Sequence, residues 1–120
     1  MSSKGRWSVR LTAAAAFDLE EIGAWTAESF GPEQESRYAQ LIADALNLLR
    51  DGPNAIGVRP IENDKEALLR LHVARGGRKG RHFVVFRILS EDRREIEVLR
   101  ILHDSMDVGR HLRSSNDEAS

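Results

Sequence analysis

The sequence has no cysteine among its 120 residues and only three prolines. The lack of cysteine excludes a disulfide scaffold, a cysteine-based zinc site and a thiol nucleophile, and it is compatible with a reducing cytoplasm. Long hydrophobic runs are lacking too: the longest purely apolar stretches, residues 13–17 and 83–86, are far below the roughly 20 residues of a membrane-spanning helix. The basic residues 1–6 have no apolar segment behind them, so we expect no secretory signal.

What is present is the composition of a folded protein. Hydrophobic residues make up 41% of the chain and charged residues 31%, which argues against intrinsic disorder. A chain of this length forms one domain of ordinary size. We expect that domain to occupy residues 1–112 and residues 113–120 to form a loose tail.

Charges of the two signs are segregated along the chain, although the net charge is only -1. Residues 13–66 hold 4 basic against 11 acidic side chains, whereas residues 67–112 hold 10 against 6. Residues 67–89 contain Arg and Lys but no acid at all. Such a region favours an anionic partner, and the alternative is a set of solvated strand edges and turns kept soluble by Arg.

The first half of the chain predicts one strand and two helices. Apolar and polar residues alternate over residues 7–12, which is typical of a half-buried strand. Residues 13–29 and 32–50 carry apolar side chains at three- and four-residue spacings, as amphipathic helices do. Gly31 suits the end of the first helix and Pro32 the first turn of the next. Because the link is so short, the helices should pack as an antiparallel hairpin.

The second half has the period of a sheet. The polar stretch from residue 51 to residue 66 predicts a loop with room for one short strand. Three strands then follow as an antiparallel meander, over residues 69–74, 82–89 and 96–101. The second of these is apolar on both faces and should be central. The prediction is an α+β fold of order β-α-α-β-β-β, with the helical hairpin on one face of a small antiparallel sheet, the other face free, and a short helix over residues 105–112.

Few motifs in the sequence carry chemistry. The glycine-rich residues 76–80 resemble a phosphate loop, but a strand follows them where a P-loop needs a helix, so we interpret them as a hairpin turn. The four histidines lack the spacing of a metal site on one helix, and no Gly-x-Ser-x-Gly motif is present. His103, beside Asp104 at a strand end, is a candidate site residue, and its alternative role is to cap the chain end locally. The Arg-rich sheet could bind phosphates or carboxylates.

Three stretches of the second half carry a family resemblance: residues 71–75 (LHVAR), 80–86 (GRHFVVF) and 98–107 (VLRILHDSMD). With residues 9–12 (VRLT) and the start of the first helix, they resemble the ParE branch of the RelE/ParE superfamily, the toxin halves of bacterial toxin–antitoxin pairs. The likeness covers about residues 7–112. It implies a small cytoplasmic protein without a cofactor or metal, held in a hetero-oligomeric complex by a ParD-like antitoxin.

The resemblance also implies a target. Toxins similar to ParE trap the DNA-cleaved complex of DNA gyrase and are not themselves enzymes, so nucleic acid would be met only through the target. Toxins similar to RelE instead cleave mRNA on the ribosome. A gyrase poison is therefore the leading hypothesis, with a ribosome-dependent mRNA endonuclease or a non-toxic antitoxin-binding module as alternatives.

We expect the site residues on the basic sheet and just after it. The resemblance implies the nuclease set, whereas the antitoxin and target sets are chosen from the basic sheet and the terminal segment. For a nuclease they are Arg81, Arg100 and His103. For the antitoxin they are Arg70, His72 and Arg75. For the target they are Arg87, Arg100, His103 and Met106. The only tyrosine, Tyr38, falls on the second helix, so the end of the last strand has no tyrosine to offer a nuclease.

Overall fold

Two helices and five strands make up the fold of the computed structural model, which describes residues 6–61, 66–74 and 77–105. The order of elements confirms the prediction, including a two-residue strand in the loop after the second helix. The elements are β1 (Ser8–Leu11), α1 (Ala13–Phe30), α2 (Pro32–Leu48), a 3₁₀ turn (Leu49–Asp51), β2 (Arg59–Pro60), β3 (Leu69–His72), β4 (His82–Ser90) and β5 (Glu95–His103). The predicted helix over residues 105–112 and the predicted tail lie outside the described residues, apart from Ser105.

The five strands form one sheet in the order β1-β5-β4-β3-β2. β4 is central, as predicted. The neighbours among β2 to β5 are antiparallel, but β1 pairs with β5 in parallel, with Val9 beside Ile96. The predicted α+β fold is therefore confirmed, whereas the prediction of a wholly antiparallel sheet is wrong at this edge. The reason is that alternation identifies a strand without fixing the direction of a partner far away in sequence.

Both helices begin at residues that suit a helix start. Thr12 caps α1: its hydroxyl oxygen accepts a hydrogen bond from the Ala15 N–H at 3.1 Å, and its hydroxyl donates to the Leu99 carbonyl at 3.0 Å. The cap thus joins the start of α1 to β5. Gly31, with φ of 93°, is the single residue between the helices, in a conformation that side chains rarely allow. The two helices pack against each other, as the short link predicted.

The main hydrophobic core lies between the helices and one face of the sheet. Its buried members come from α1, α2, the 3₁₀ turn and β3 to β5, and include Leu41, Ile42, Ala45, Leu49, Leu71, Val84, Phe86, Ile96 and Val98. Apolar positions recur every three or four residues on α2 and every second residue on β4, so the two patterns meet in one layer.

A second hydrophobic cluster occupies the other face of the sheet. Phe83 and Val85 alternate with the core residues of β4 and are buried together with Leu68 and Leu102, each no more than 4% exposed. The prediction that this face is free is therefore wrong. The apolar character of β4 on both sides already required cover on both faces.

A buried ion pair joins α1 to a bulge in β5. Phe86 pairs with Val98 and Val85 with Arg100, so Leu99 is an extra residue in β5. Beside this bulge the Asp18 carboxylate, on α1, accepts hydrogen bonds from Arg100 Nε at 2.8 Å, Arg100 Nη2 at 3.0 Å and the Ile101 N–H at 2.9 Å. Asp18 is only 9% exposed.

No helix in the described part of the chain is both long and apolar enough to cross a membrane.

We predict that Asp18→Ala lowers the free energy of unfolding by roughly 3 kcal/mol, because it leaves the largely buried Arg100 guanidinium and the buried Ile101 N–H without their acceptor. Chemical denaturation monitored by circular dichroism would measure the loss. The matched control is Asp44→Ala, which removes an exposed carboxylate paired with Arg78 and should change stability little. Equal losses in both variants would contradict the role given to burial.

Candidate functional site

Three histidines lie at one end of the sheet, where β3 ends, β4 begins and β5 ends. Antiparallel pairing sets His82 opposite His103, and sets His72 opposite Phe83, the residue after His82. The His82 and His103 rings meet edge to face with their centroids 5.3 Å apart. The sequence places these histidines far apart, and the sheet register brings them together.

Tyr38 connects α2 to this end of the sheet. Its hydroxyl oxygen accepts a hydrogen bond from the Arg81 N–H at 2.8 Å and lies 2.7 Å from His82 Nδ1. The hydroxyl proton is therefore free to be donated to Nδ1, which makes His82 a neutral acceptor there. Burial, followed by the nearby charge of His103, lowers the pKa of His82 from 6.5 to about 4, and burial also raises the pKa of Tyr38.

The Asp104 carboxylate contacts two further side chains at this end of the sheet, those of His72 and Arg81. The Ala74 N–H donates to His72 Nδ1 at 3.0 Å, so His72 carries its proton on Nε2 and donates it to Asp104 Oδ2, also at 3.0 Å. Arg81 Nε lies 3.5 Å from the other carboxylate oxygen. These contacts, led by the hydrogen bond from His72, hold the pKa of Asp104 below its usual value. Among the described residues, no group of three or more His, Asp or Glu side chains is arranged to hold a metal ion.

An open cleft of about 910 Å³ extends from this cluster between α1, α2 and the loop before β4. Tyr38, His82 and His103 line one end of the cleft. Trp25 and Phe30 line the α1 side, with ring centroids 5.6 Å apart and with 59% and 64% of their surfaces exposed. Two such rings left in water mark a surface that a partner or ligand could cover.

The loop wall of the cleft, residues 77–81, is attached to α2. Arg78 Nη1 lies 2.6 Å from Asp44 Oδ2, and the Tyr38 hydroxyl holds the backbone of Arg81. Between these contacts, Gly80 packs so closely that a Cβ atom would lie 2.6 Å from Val73 Cγ2 and 3.0 Å from Leu41 Cδ2. Gly80 is therefore needed for close packing. The loop is held in place by an ion pair, a hydrogen bond and this packing.

A sequence model of a family described as "ParE toxin of type II toxin-antitoxin system, parDE" matches residues 9–108. The chain belongs to the ParE toxin family. It is thus the toxin component of a type II toxin–antitoxin system.

Known relatives agree with this membership. Toxin ParE1 of Caulobacter vibrioides is 28% identical over 103 residues, which cover 86% of this chain and 95% of that protein. The structure described as the chromosomal ParDE system from P. aeruginosa has a TM-score of 0.68 and 26% identity, and the likeness covers 83% of this chain and 98% of that one. The RelBE2 complex from Mycobacterium tuberculosis, with a TM-score of 0.56 and 19% identity over 82% of this chain and 98% of that one, shares the fold.

Of the residues predicted for a nuclease, the structure brings two together in this ParE-family chain. Arg81 and His103 both line the cleft, and the Asp104 N–H donates to the Arg81 carbonyl at 2.7 Å. Arg100 lies on the same strand as His103, but its guanidinium is engaged with Asp18 on α1.

The residues predicted for antitoxin and target binding are more dispersed. Arg70 and His72 alternate with the core residues of β3 and lie on the sheet face away from the helices. Arg87 forms an ion pair with Glu97 at 2.8 Å, five residues along β4 from the His82 end. Arg75 and Met106 lie outside the described residues.

Sequence reasoning missed Tyr38 and His82 as members of the cluster, and Trp25 and Phe30 as its neighbours. The sequence predicts Tyr38 on the second helix, away from the strand ends, yet its hydroxyl reaches the end of the sheet. The available signal was Gly80: a glycine just before a buried strand indicates that another element approaches closely.

We predict that the stability of the wild-type chain falls as the pH drops from 6.5 towards 4. The unfolded chain binds a proton at His82 near its ordinary pKa of 6.5, whereas the folded chain resists protonation until about 4. Neutral His82 therefore makes its full contribution to the free energy of unfolding above pH 6.5, and this contribution is lost as the pH falls towards 4. We expect the loss to be roughly 1–2 kcal/mol, because the ring is partly exposed. Urea denaturation over this range would measure it.

The control for this pH dependence is His82→Gln, which keeps an acceptor for Tyr38 but does not titrate. Its stability should depend less on pH than that of the wild type. Identical pH slopes would show that His82 does not carry the effect. The carboxyls of Asp44 and Asp104, whose pKa values are lowered in the folded chain, also lose their contribution to stability as the unfolded chain binds protons below about pH 5, but the wild type and His82→Gln share that contribution.

Proposed function

We propose that this ParE-family toxin arrests growth by trapping DNA gyrase on cleaved DNA, and that a ParD-like antitoxin neutralises it in a hetero-oligomeric complex. The observation that carries the choice of target is the pairing of Arg100 with Asp18. The names ParE1 and ParDE of the two relatives above 25% identity support the pairing of a ParE toxin with an antitoxin. A gyrase poison acts in the cytoplasm.

The Arg100 pairing argues against an mRNA endonuclease. Such an enzyme needs cations free to neutralise phosphate and groups free to move a proton. Arg100 Nε and Nη2 already donate to Asp18, and hydrogen bonding to Asp18 raises the pKa of the guanidinium. His82 Nδ1 is occupied by Tyr38. Arg81 and His103 remain, and each has partners of its own: Arg81 Nε lies 3.5 Å from Asp104 Oδ1, and His103 Nδ1 lies 2.8 Å from the Ser105 hydroxyl oxygen and accepts from the Ser105 N–H at 3.2 Å.

We place the antitoxin on the sheet face away from the helices, at Arg70 and His72, with Arg75 as a further contact. Arg70 is exposed, and its guanidinium carbon lies 5.7 Å from the centre of the Phe83 ring. A cation held over an aromatic ring is oriented while its charge stays available to an acidic partner. For contact with the target, we propose Arg87, His103 and Met106. The side chains of Arg87 and His103 are 43% and 36% exposed, so they are better placed than Arg100 to contact the target.

We predict that the purified chain makes gyrase accumulate cleaved plasmid in a reaction with supercoiled DNA and ATP, and that the antitoxin encoded beside it prevents this. Agarose gels after protein digestion would measure linear DNA against toxin concentration. A folded chain that leaves gyrase unaffected would sink the proposal. In that case a translation extract with Arg81→Ala as the variant tests mRNA cleavage instead.

We also predict that Arg70→Ala weakens antitoxin binding by about tenfold, as expected for the loss of one charged contact, while the thermal midpoint of unfolding changes little. Isothermal titration calorimetry would measure the affinity and circular dichroism the stability. The matched control is Arg93→Ala, an equal change of charge in the exposed turn between β4 and β5. Unchanged affinity in Arg70→Ala, or an equal loss in Arg93→Ala, would move the antitoxin elsewhere.

A further inference from the structure

Two exposed arginines lie directly opposite each other where β2 pairs with β3. The register sets Arg59 beside Arg70, and both lie on the sheet face away from the helices. Side chains at opposite positions have Cβ atoms about 5 Å apart. Arg59 Nη1 donates to the Val58 carbonyl at 3.2 Å, and Arg70 lies over the Phe83 ring. Within the described residues neither guanidinium has a carboxylate partner. We call Arg59 and Arg70 the arginine pair.

This arrangement is unfavourable in the free chain. Like charges at opposite positions of two strands repel each other and lower the stability of the sheet. By contrast, two other cations of the same face have an acid beside them: Arg87 forms an ion pair with Glu97, and Arg10 lies opposite Glu97 across the β1–β5 pair. An anion from outside would therefore remove a repulsion at the arginine pair.

The setting of the pair favours a single carboxylate carried by a larger partner. One guanidinium can donate two parallel hydrogen bonds to a carboxylate, and a second can bind its remaining lone pairs. A nucleic acid strand needs cations along the length of its backbone, whereas the neighbouring Arg87 is already paired with Glu97. A free small molecule needs a cavity that encloses it, and the arginine pair does not line the cleft.

The edge of the sheet limits how such a partner can approach. The Ile61 N–H donates to the Leu68 carbonyl, so the register turns the nitrogen of Pro60 towards the open edge. Proline has no N–H to offer an added strand, and it is a residue that protects sheet edges from further pairing. Binding at this edge therefore depends on side chains, of which the arginine pair carries the charge.

We propose that Arg59 and Arg70 together bind one carboxylate of the antitoxin, from the side chain of an Asp or Glu. This inference rests on the proposed function for the place of the antitoxin on this face, and it adds Arg59 and the chemical class of the group bound. The pair lowers the stability of the free toxin, and the acidic group of the antitoxin removes the repulsion on binding.

The test is a double-mutant cycle on antitoxin binding by the full chain, measured by isothermal titration calorimetry at low salt. Arg59→Gln and Arg70→Gln should each weaken binding about tenfold. Because both arginines contact the same carboxylate, the double variant should lose about 10- to 30-fold, whereas independent contacts would lose roughly 100-fold. The matched control is Arg6→Gln/Arg93→Gln, which removes two exposed cations before β1 and before β5 and should keep the wild-type affinity.

The stability of the free chain gives a second readout. Arg59→Gln should unfold at a slightly higher temperature than the wild type at low salt, because the substitution removes a contact between like charges. The difference should shrink as salt is added, since ions screen exposed charges. Thermal denaturation followed by circular dichroism at two salt concentrations would measure both effects and would show that the variant folds.

Four results would overturn the proposal: wild-type affinity in Arg59→Gln, additive losses in the double variant, an equal loss in the control variant, or a lower thermal midpoint of Arg59→Gln at low salt. Wild-type affinity in every variant would move the antitoxin away from this edge and leave the proposed target unaffected. Gyrase is absent from the titration, so a failure of the gyrase proposal leaves the double-mutant cycle interpretable.

Discussion

The carboxylate of Asp18 is the contact on which the arrangement of helices and sheet depends most. A bulge in β5 leaves the Ile101 N–H and the Arg100 guanidinium directed at α1, and Asp18 accepts from both. The desolvation of the Asp18 carboxylate is offset by its ion pair with Arg100 and by its hydrogen bond from the Ile101 N–H. The pair therefore specifies how α1 lies on the sheet. The same pairing occupies Nε and Nη2 of Arg100, and this is the observation behind our proposal of a target other than mRNA.

The Tyr38 hydroxyl has a similar structural role at the end of the sheet where His82 and His103 lie. It joins α2, the loop before β4 and His82 in two hydrogen bonds. These polar contacts fix the loop before β4 to α2. The cleft beside Tyr38 owes its shape to them: one wall is α1 with its exposed rings, and the other is the attached loop with its cations.

Local sequence patterns predict the order of helices and strands. The direction of β1 and the partners of the site residues depend on tertiary contacts. Helical spacing, the Gly31-Pro32 link and the alternation in β3 to β5 were sufficient for an α+β fold. The parallel direction of β1 was not accessible, because it depends on a partner distant in sequence. For the site, the sequence predicts His103 at a strand end and the family resemblance adds Arg81. Tyr38 is not predicted, since a helical period says nothing about what a side chain contacts across a cleft. The ion pair between Arg100 and Asp18 cannot be predicted from the sequence either, because Asp18 is one of several acidic residues on a helix.

The parallel edge pairing also bears on how the protein is made. β1 joins residues 8–11 to residues 95–98, so β1 has no partner until β5 has emerged from the ribosome. Contacts so far apart in sequence form late and slowly. Until then the exposed edge of β1 and the apolar face of α1 lack their cover. A chain that stops before β5 would lack both the partner of β1 and the partners of Asp18, so a truncated product has no route to the complete sheet.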